Sequence, residues 1–204
     1  MDLWIWVVSG TVAATLIVLI ERIVKYAVVF RRRQPKHGVP LEEYIARAGG
    51  RIPAERALGM LEPVVRRLAL FHTNGRAHLN VCPQRIVVVP GSQKLVLLAP
   101  EGGGLVSGYS APEQYRGEAG PGADVYAAAC VLYRMAAGKT PPEAMLRLTN
   151  DAEVKQDIAD MNVAEDIKRA WLRALSPEPE ARFKNCGMLA MDLYPKIKTP
   201  AEQV

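Results

Sequence analysis

Residues 123–137 form a run that is apolar on almost every side. A helix without a polar face is stable only when other elements cover it all round. Pro121 is a suitable first-turn residue and Gly138 a stop. The sequence therefore predicts a central helix with a domain built around it. The surrounding elements are legible on both sides. Residues 41–48 read as a short amphipathic helix stopped by Gly49-Gly50. Pro53 opens a longer one, in which Leu58, Leu61, Val65, Leu68 and His72 recur at core-facing spacing until Asn74-Gly75. The β-branched run 86–89, the turn Pro90-Gly91-Ser92 and the apolar run 94–98 predict a hairpin. Shorter helices are expected around 142–148, 151–160, 164–175 and 184–193.

The amino terminus is different in kind. Residues 3–20 carry no charge, and as a helix they would reach about 27 Å, close to a bilayer's hydrocarbon thickness. Trp4 and Trp6 stand at one end, where indole rings favour the headgroup interface, and Arg31, Arg32 and Arg33 lie beyond the other. Met1-Asp2 is not the basic start of a cleaved signal, and no small-residue cleavage site follows. These features predict one transmembrane helix, with the amino terminus outside and the domain on the cytoplasmic face of the cell membrane. The organisation expected is an anchor with its basic flank (1–33), a linker (34–40), a domain (41–196) and a tail (197–204). In residues 1–33 five basic side chains oppose Asp2 and Glu21, giving +3, so the other 171 residues carry +2 of the total +5. The basic balance is mostly a membrane-flank signature and argues against a nucleic-acid partner. Cys82, Cys130 and Cys186, odd in number and widely spread, suggest reduced thiols.

Gly108-Tyr109-Ser110-Ala111-Pro112-Glu113-Gln114, followed by Asp124-Val125-Tyr126, resembles the end of the activation segment and the start of the central helix in protein kinases, with the spelling of the bacterial Ser/Thr branch. The resemblance extends over residues 41–193. The stretch 68–78, ending in His78, resembles the approach to the catalytic loop, residues 94–96 the strand before the metal-binding triplet, and residues 175–182 the loop bearing a structural arginine. It implies a mainly α fold, a kinase C-lobe-like helical domain with a small β-hairpin, preceded by the transmembrane helix. It also implies that Asp124 holds the His78 loop and that Glu113 and Arg182 form a buried pair bracing the activation segment.

The reacting positions depart from the family. A kinase orients the substrate hydroxyl with an aspartate and holds magnesium with an aspartate and an asparagine. Here His78-Leu79-Asn80 puts an amide where the carboxylate belongs, Cys82 replaces a lysine, Arg85 the metal-binding asparagine, and Leu97-Leu98-Ala99 the metal-binding triplet. An amide has no basic site near neutral pH, and magnesium needs hard oxygen donors. The linker is too short for a five-stranded upper lobe. The expectation is a catalytically inactive kinase-like scaffold or regulatory subunit on the membrane, using neither ATP nor magnesium. The alternatives are a degenerate kinase active when a partner supplies the upper lobe, or a sensor binding an effector in the vestigial cleft. With that lobe absent, Val87, Val89, Leu95, Leu97 and Leu98 are expected to offer an apolar surface to a protein partner, a second copy or the chain's own residues 34–45.

Three features are decoys. Gly138-Lys139-Thr140 resembles the end of a phosphate-binding loop, but it follows a helix and Tyr133 stands where the earlier glycine is required. Gly102-Gly103-Gly104 lacks a supporting lysine and reads as a flexible piece of the activation segment. His72 and His78, with Asn80 the nearest polar residue and no aspartate in sequence reach, read as packed or capping histidines.

Overall fold

The computed structural model describes residues 38–100 and 104–194. The apolar run 3–20, the arginines at 31–33, Gly102 and Gly103, and the tail 197–204 lie outside the described residues. Among those described, no helix is long and apolar enough to cross a membrane. In chain order the elements are β1 (Val39–Pro40), α1 (Leu41–Arg47), α2 (Ala54–His72), β2 (Ile86–Val88), β3 (Leu95–Leu97), α3 (Pro112–Tyr115), α4 (Pro121–Ala137), α5 (Ala144–Arg147), α6 (Ala152–Ala159), α7 (Glu165–Ala174) and α8 (Cys186–Leu193). Short 3-10 turns occupy Pro83–Arg85 and Pro179–Ala181.

The central helix is α4. Every residue from Ala123 to Tyr133 is buried, Asp124 included, because α2, α6, α7 and α8 all pack against it. Its lack of a polar face thus has a direct structural counterpart. The helix ends at Gly138, whose φ of 76° belongs to the left-handed region. A β-carbon there would sit 3.1 Å from the Gly50 carbonyl oxygen. In α2 the residues Ala57, Leu58, Leu61, Val64, Val65, Leu68 and Phe71 form the buried stripe. Pro63 is tolerated within it on the exposed side, where the ring displaces no core packing. Helix α8 is capped by Asn185, whose Oδ1 accepts from the Met188 N–H at 3.0 Å.

The sheet has the order β1-β2-β3, both pairs antiparallel. Val39 stands opposite Val88, Pro40 opposite Val87, Ile86 opposite Leu97 and Val88 opposite Leu95. Strand β1 corrects the sequence reading, which assigned residues 34–40 to a linker: the proline suggested a break, yet an edge strand tolerates it. The hairpin also corrects the expected interaction surface. Leu95 and Leu97 are 2% and 0% exposed. Strand side chains alternate, so Ile86, Val88, Leu95 and Leu97 face inward, with α2 packed against β3. Val87, Val89 and Leu98 are half-buried and Val96 joins them, while Gly38 and β1 lie against Val87.

Candidate functional site

The loop between α2 and β2 is organised by one carboxylate. Asp124, fully buried in the first turn of α4, accepts from the backbone N–H of His78 at 2.6 Å and of Leu79 at 2.7 Å. Its Oδ2 also accepts from His72 Nε2 at 2.9 Å. His72 Nδ1 in turn accepts from the Cys186 N–H at 3.1 Å, tying the loop to α8. A buried carboxylate needs such partners. This arrangement corrects the reading of His72 as lacking an acidic neighbour: the aspartate is 52 positions away in sequence and adjacent in space.

His78 is buried, and its Nε2–H donates to the Leu98 carbonyl at 2.8 Å. That bond leaves Nδ1 to accept from the Asn80 N–H at 3.3 Å. Burial lowers the His78 pKa below the ordinary histidine value, despite the bond to Leu98 and the nearby Asp124. Leu79 has φ of 58°, left-handed backbone that a branched residue rarely adopts. Asp124 holds its N–H, and Gln114 Nε2 donates to its carbonyl at 3.2 Å. The same Gln114 accepts through Oε1 from the Ala111 N–H at 3.0 Å, so this amide joins α3 to the loop. Gln114 stands three residues after Ala111, the position from which a glutamine side chain caps the start of a helix.

Around this loop sit the remaining positions singled out in the sequence. The Cys82 thiol lies 3.8 Å from Asn80 Oδ1, and burial pushes its pKa up. Arg85, half-buried, directs Nη2 at the Ala99 carbonyl, while the Leu98 N–H donates to the Arg85 carbonyl at 2.8 Å. The structure therefore brings His78, Asn80, Cys82, Arg85, Leu98 and Ala99 together at one edge of the hairpin, with the Leu97 side chain turned into the core. A guanidinium, an amide, a thiol and aliphatic side chains do not fit a magnesium-bound nucleotide, since these positions supply no carboxylate and Arg85 would repel the cation.

The brace lies beneath α3. Arg182 Nη2 is 2.6 Å from Glu113 Oε2, both side chains being buried. Nη1 donates to the Gly122 carbonyl at 2.9 Å, and the guanidinium lies 5.3 Å from the centroid of the Tyr126 ring. Gly108, at φ 78°, lets the preceding turn lie against the loop after α4; a β-carbon there would approach the Pro141 carbonyl oxygen to 2.8 Å. The Ala129 carbonyl in α4 accepts from Trp171 Nε1 at 3.1 Å. A second buried cation, Arg147, was missed because nothing local marks it. It bonds Asp151 at 2.7 Å, the Tyr126 hydroxyl at 2.8 Å and the Leu175 carbonyl at 2.9 Å.

Lys139 of the phosphate-loop look-alike is engaged elsewhere, 2.6 Å from Glu153 and 2.8 Å from Asp157. Burial alone would raise the Asp157 pKa, but Lys139 and the Tyr133 hydroxyl hold it below the usual carboxylate value.

No protein-family model matches the chain. The serine/threonine-protein kinase PknA of Mycobacterium tuberculosis (strain ATCC 25618 / H37Rv) is 37% identical over 119 residues, covering 52% of this chain and 27% of that protein. The serine/threonine-protein kinase PknB of the same strain is 24% identical over 198 residues, covering 81% of this chain and 32% of that protein. Among solved structures, the apo form of PpkA-294 matches with a TM-score of 0.68 at 21% identity, covering 85% of this chain and 74% of that one. The M. tuberculosis PknI kinase domain matches with a TM-score of 0.58 at 24% identity, covering 78% and 63%. Fold and relatives agree: the chain has a protein kinase-like fold and is similar in sequence to protein kinases. It resembles the bacterial Ser/Thr kinases in particular, and spans only about a third or less of the length of the curated relatives it matches.

Proposed function

We propose that this chain is a kinase-like scaffold or regulatory element, held on the cytoplasmic face of the membrane by residues 3–20, that does not transfer phosphate by itself. The observation that carries the reading is Arg85. Its guanidinium bridges the loop to the Ala99 carbonyl, where a kinase would assemble oxygen ligands for magnesium. Asn80 supports it, having no basic site for a substrate hydroxyl. The hydrogen bonds of Asp124 and the Glu113–Arg182 pair keep the surrounding backbone ordered without the reacting groups, as a binding element requires. The half-buried Val87, Val89, Val96 and Leu98 are the part of the hairpin left for a protein partner.

The names of PknA and PknB favour a second reading, in which another chain supplies an upper lobe and phosphotransfer follows. Such a partner would still leave Asn80 and Leu97 without carboxylates. The deciding experiment incubates the full chain, in lipid nanodiscs, with radiolabelled ATP and a generic acceptor protein. No incorporation above a no-protein control is expected, and magnesium-dependent labelling lost in Asn80→Ala would refute the reading. Protease added outside intact cells should leave residues 34–204 uncut; cleavage there would refute the orientation.

A further inference from the structure

The carboxyl-terminal half of α2 and the whole of α8 run antiparallel. The Cys186 N–H meets His72 at one end, and Tyr194 lies within reach of the charges of Glu62 and Arg66 at the other. Between the two helices is an open groove of about 630 Å³. Ala69, Gly187 and Ala190 line it, and a β-carbon on Gly187 would lie 3.9 Å from that of Ala69. The helices therefore touch through small residues and leave room above them. Leu70 and Met191 also line the groove and are 65% and 73% exposed, a large apolar area to leave in water.

The chain itself leads into this groove. Helix α8 ends at Leu193, and Tyr194, with φ −131° and ψ 55°, is no longer helical yet still lines the groove. The next residues are Pro195-Lys196-Ile197-Lys198-Thr199-Pro200. Pro195 has no N–H with which to continue the helix, and Pro200 biases Thr199 toward extended backbone. In an extended segment side chains alternate, so Ile197 faces one way and Lys196 and Lys198 the other. That pattern suits a strap on an apolar groove, with the isoleucine inward and both ammonium groups in water. The lengths agree as well. From Gly187 to Tyr194 the helix rises about 10 Å, and three or four extended residues cover that distance at about 3.3 Å each.

We propose that residues 195–200 turn back at Pro195 and lie along this groove, with Ile197 packed against Ala190 between Leu70 and Met191. Glu62 and Arg66 at the mouth are paired at 2.7 Å, so they present no net charge to repel the lysines. Covalent attachment holds so short a segment at about millimolar effective concentration. The strap therefore fills the groove ahead of a second copy or another protein, and it covers the one face of α8 that would otherwise promote self-association.

The test uses residues 35–204, a compact unit with its own core. Its three cysteines are buried, so a nitroxide attached through Thr199→Cys reports from a single position. In methionine-methyl NMR spectra the Met191 signal should lose more than about half its intensity relative to the reduced label. Met161, which lies with Pro53 and Ala54 at the far end of α2, should lose much less. Ile197→Asp should restore the Met191 signal. The buried core of the described residues lies within residues 41–194, so residues 35–194 serve as an empty groove. A synthetic peptide of residues 195–204 should bind them saturably and one-to-one, about tenfold or more weakly when it carries Ile197→Asp. Leu70→Glu, at an exposed position, should keep the melting point and lose the peptide. An unquenched Met191 signal, or quenching that survives Ile197→Asp, would overturn the proposal. So would equal quenching of unlabelled molecules mixed with nitroxide-bearing ones, which would place the segment on a second copy.

Discussion

Replacing Glu113 with alanine removes the carboxylate that, among the described residues, pairs with the Arg182 guanidinium, which is itself 0% exposed. Breaking a buried ion pair in this one-sided way typically costs about 3–5 kcal/mol, because the remaining charge keeps its desolvation penalty. Arg182 retains the Gly122 carbonyl at 2.9 Å and the Tyr126 ring, so the lower end, about 3 kcal/mol, is expected here. In a unit of this size each kcal/mol moves the midpoint by about 2–4 °C, giving a fall of roughly 6–12 °C in Tm. Scanning calorimetry on residues 35–204 reads it, together with Arg182→Met and the double variant. The double variant should recover part of the loss, since it removes both charges; a coupling of at least about 0.5 kcal/mol is expected. A fall of under 2 °C in Glu113→Ala, or strictly additive losses, would refute the brace.

Three further outcomes follow from the same contacts. The His78 pKa is lowered in the folded state, so its contribution to stability is fully present above the unfolded value of 6.5 and is lost as pH falls through the lower folded value; Tm should therefore drop on acidification below pH 6.5, and less steeply in His78→Gln, whose amide can still donate to Leu98. Asp124→Asn presents an amide to three donors and should cost at least about 3 kcal/mol in urea unfolding, with hydrogen exchange accelerated at His78 and Leu79. Gln114→Ala removes the link to the Leu79 carbonyl and should cost about 1 kcal/mol, with faster exchange confined to α3 and the loop.

The parts of this molecule that follow from periodicity were legible in the sequence. The central helix, the α2 stripe and the hairpin all lie close to where hydrophobic spacing puts them, because burial and local pattern agree there. Strand β1 was not, since two residues next to a proline carry no pattern and pair only because β2 offers an open edge. Leu95 and Leu97 were misplaced for a related reason: an apolar run names a strand without saying which face the core takes. The links of His72 to Asp124, of Gln114 to Leu79 and of Arg147 to Leu175 join segments distant in sequence, and no local signal encodes those meetings. The drift at Asn80 and Arg85 was visible as residue identity, whereas the bridge from Arg85 to Ala99 needed coordinates.

In the proposed reading the kinase-like scaffold persists here without nucleotide chemistry. Thermal shift of residues 35–204 with ATP, with and without magnesium, addresses it most directly. The account predicts the same melting point in both conditions as without nucleotide. A magnesium-dependent rise of several degrees, abolished by Asn80→Ala, would contradict it.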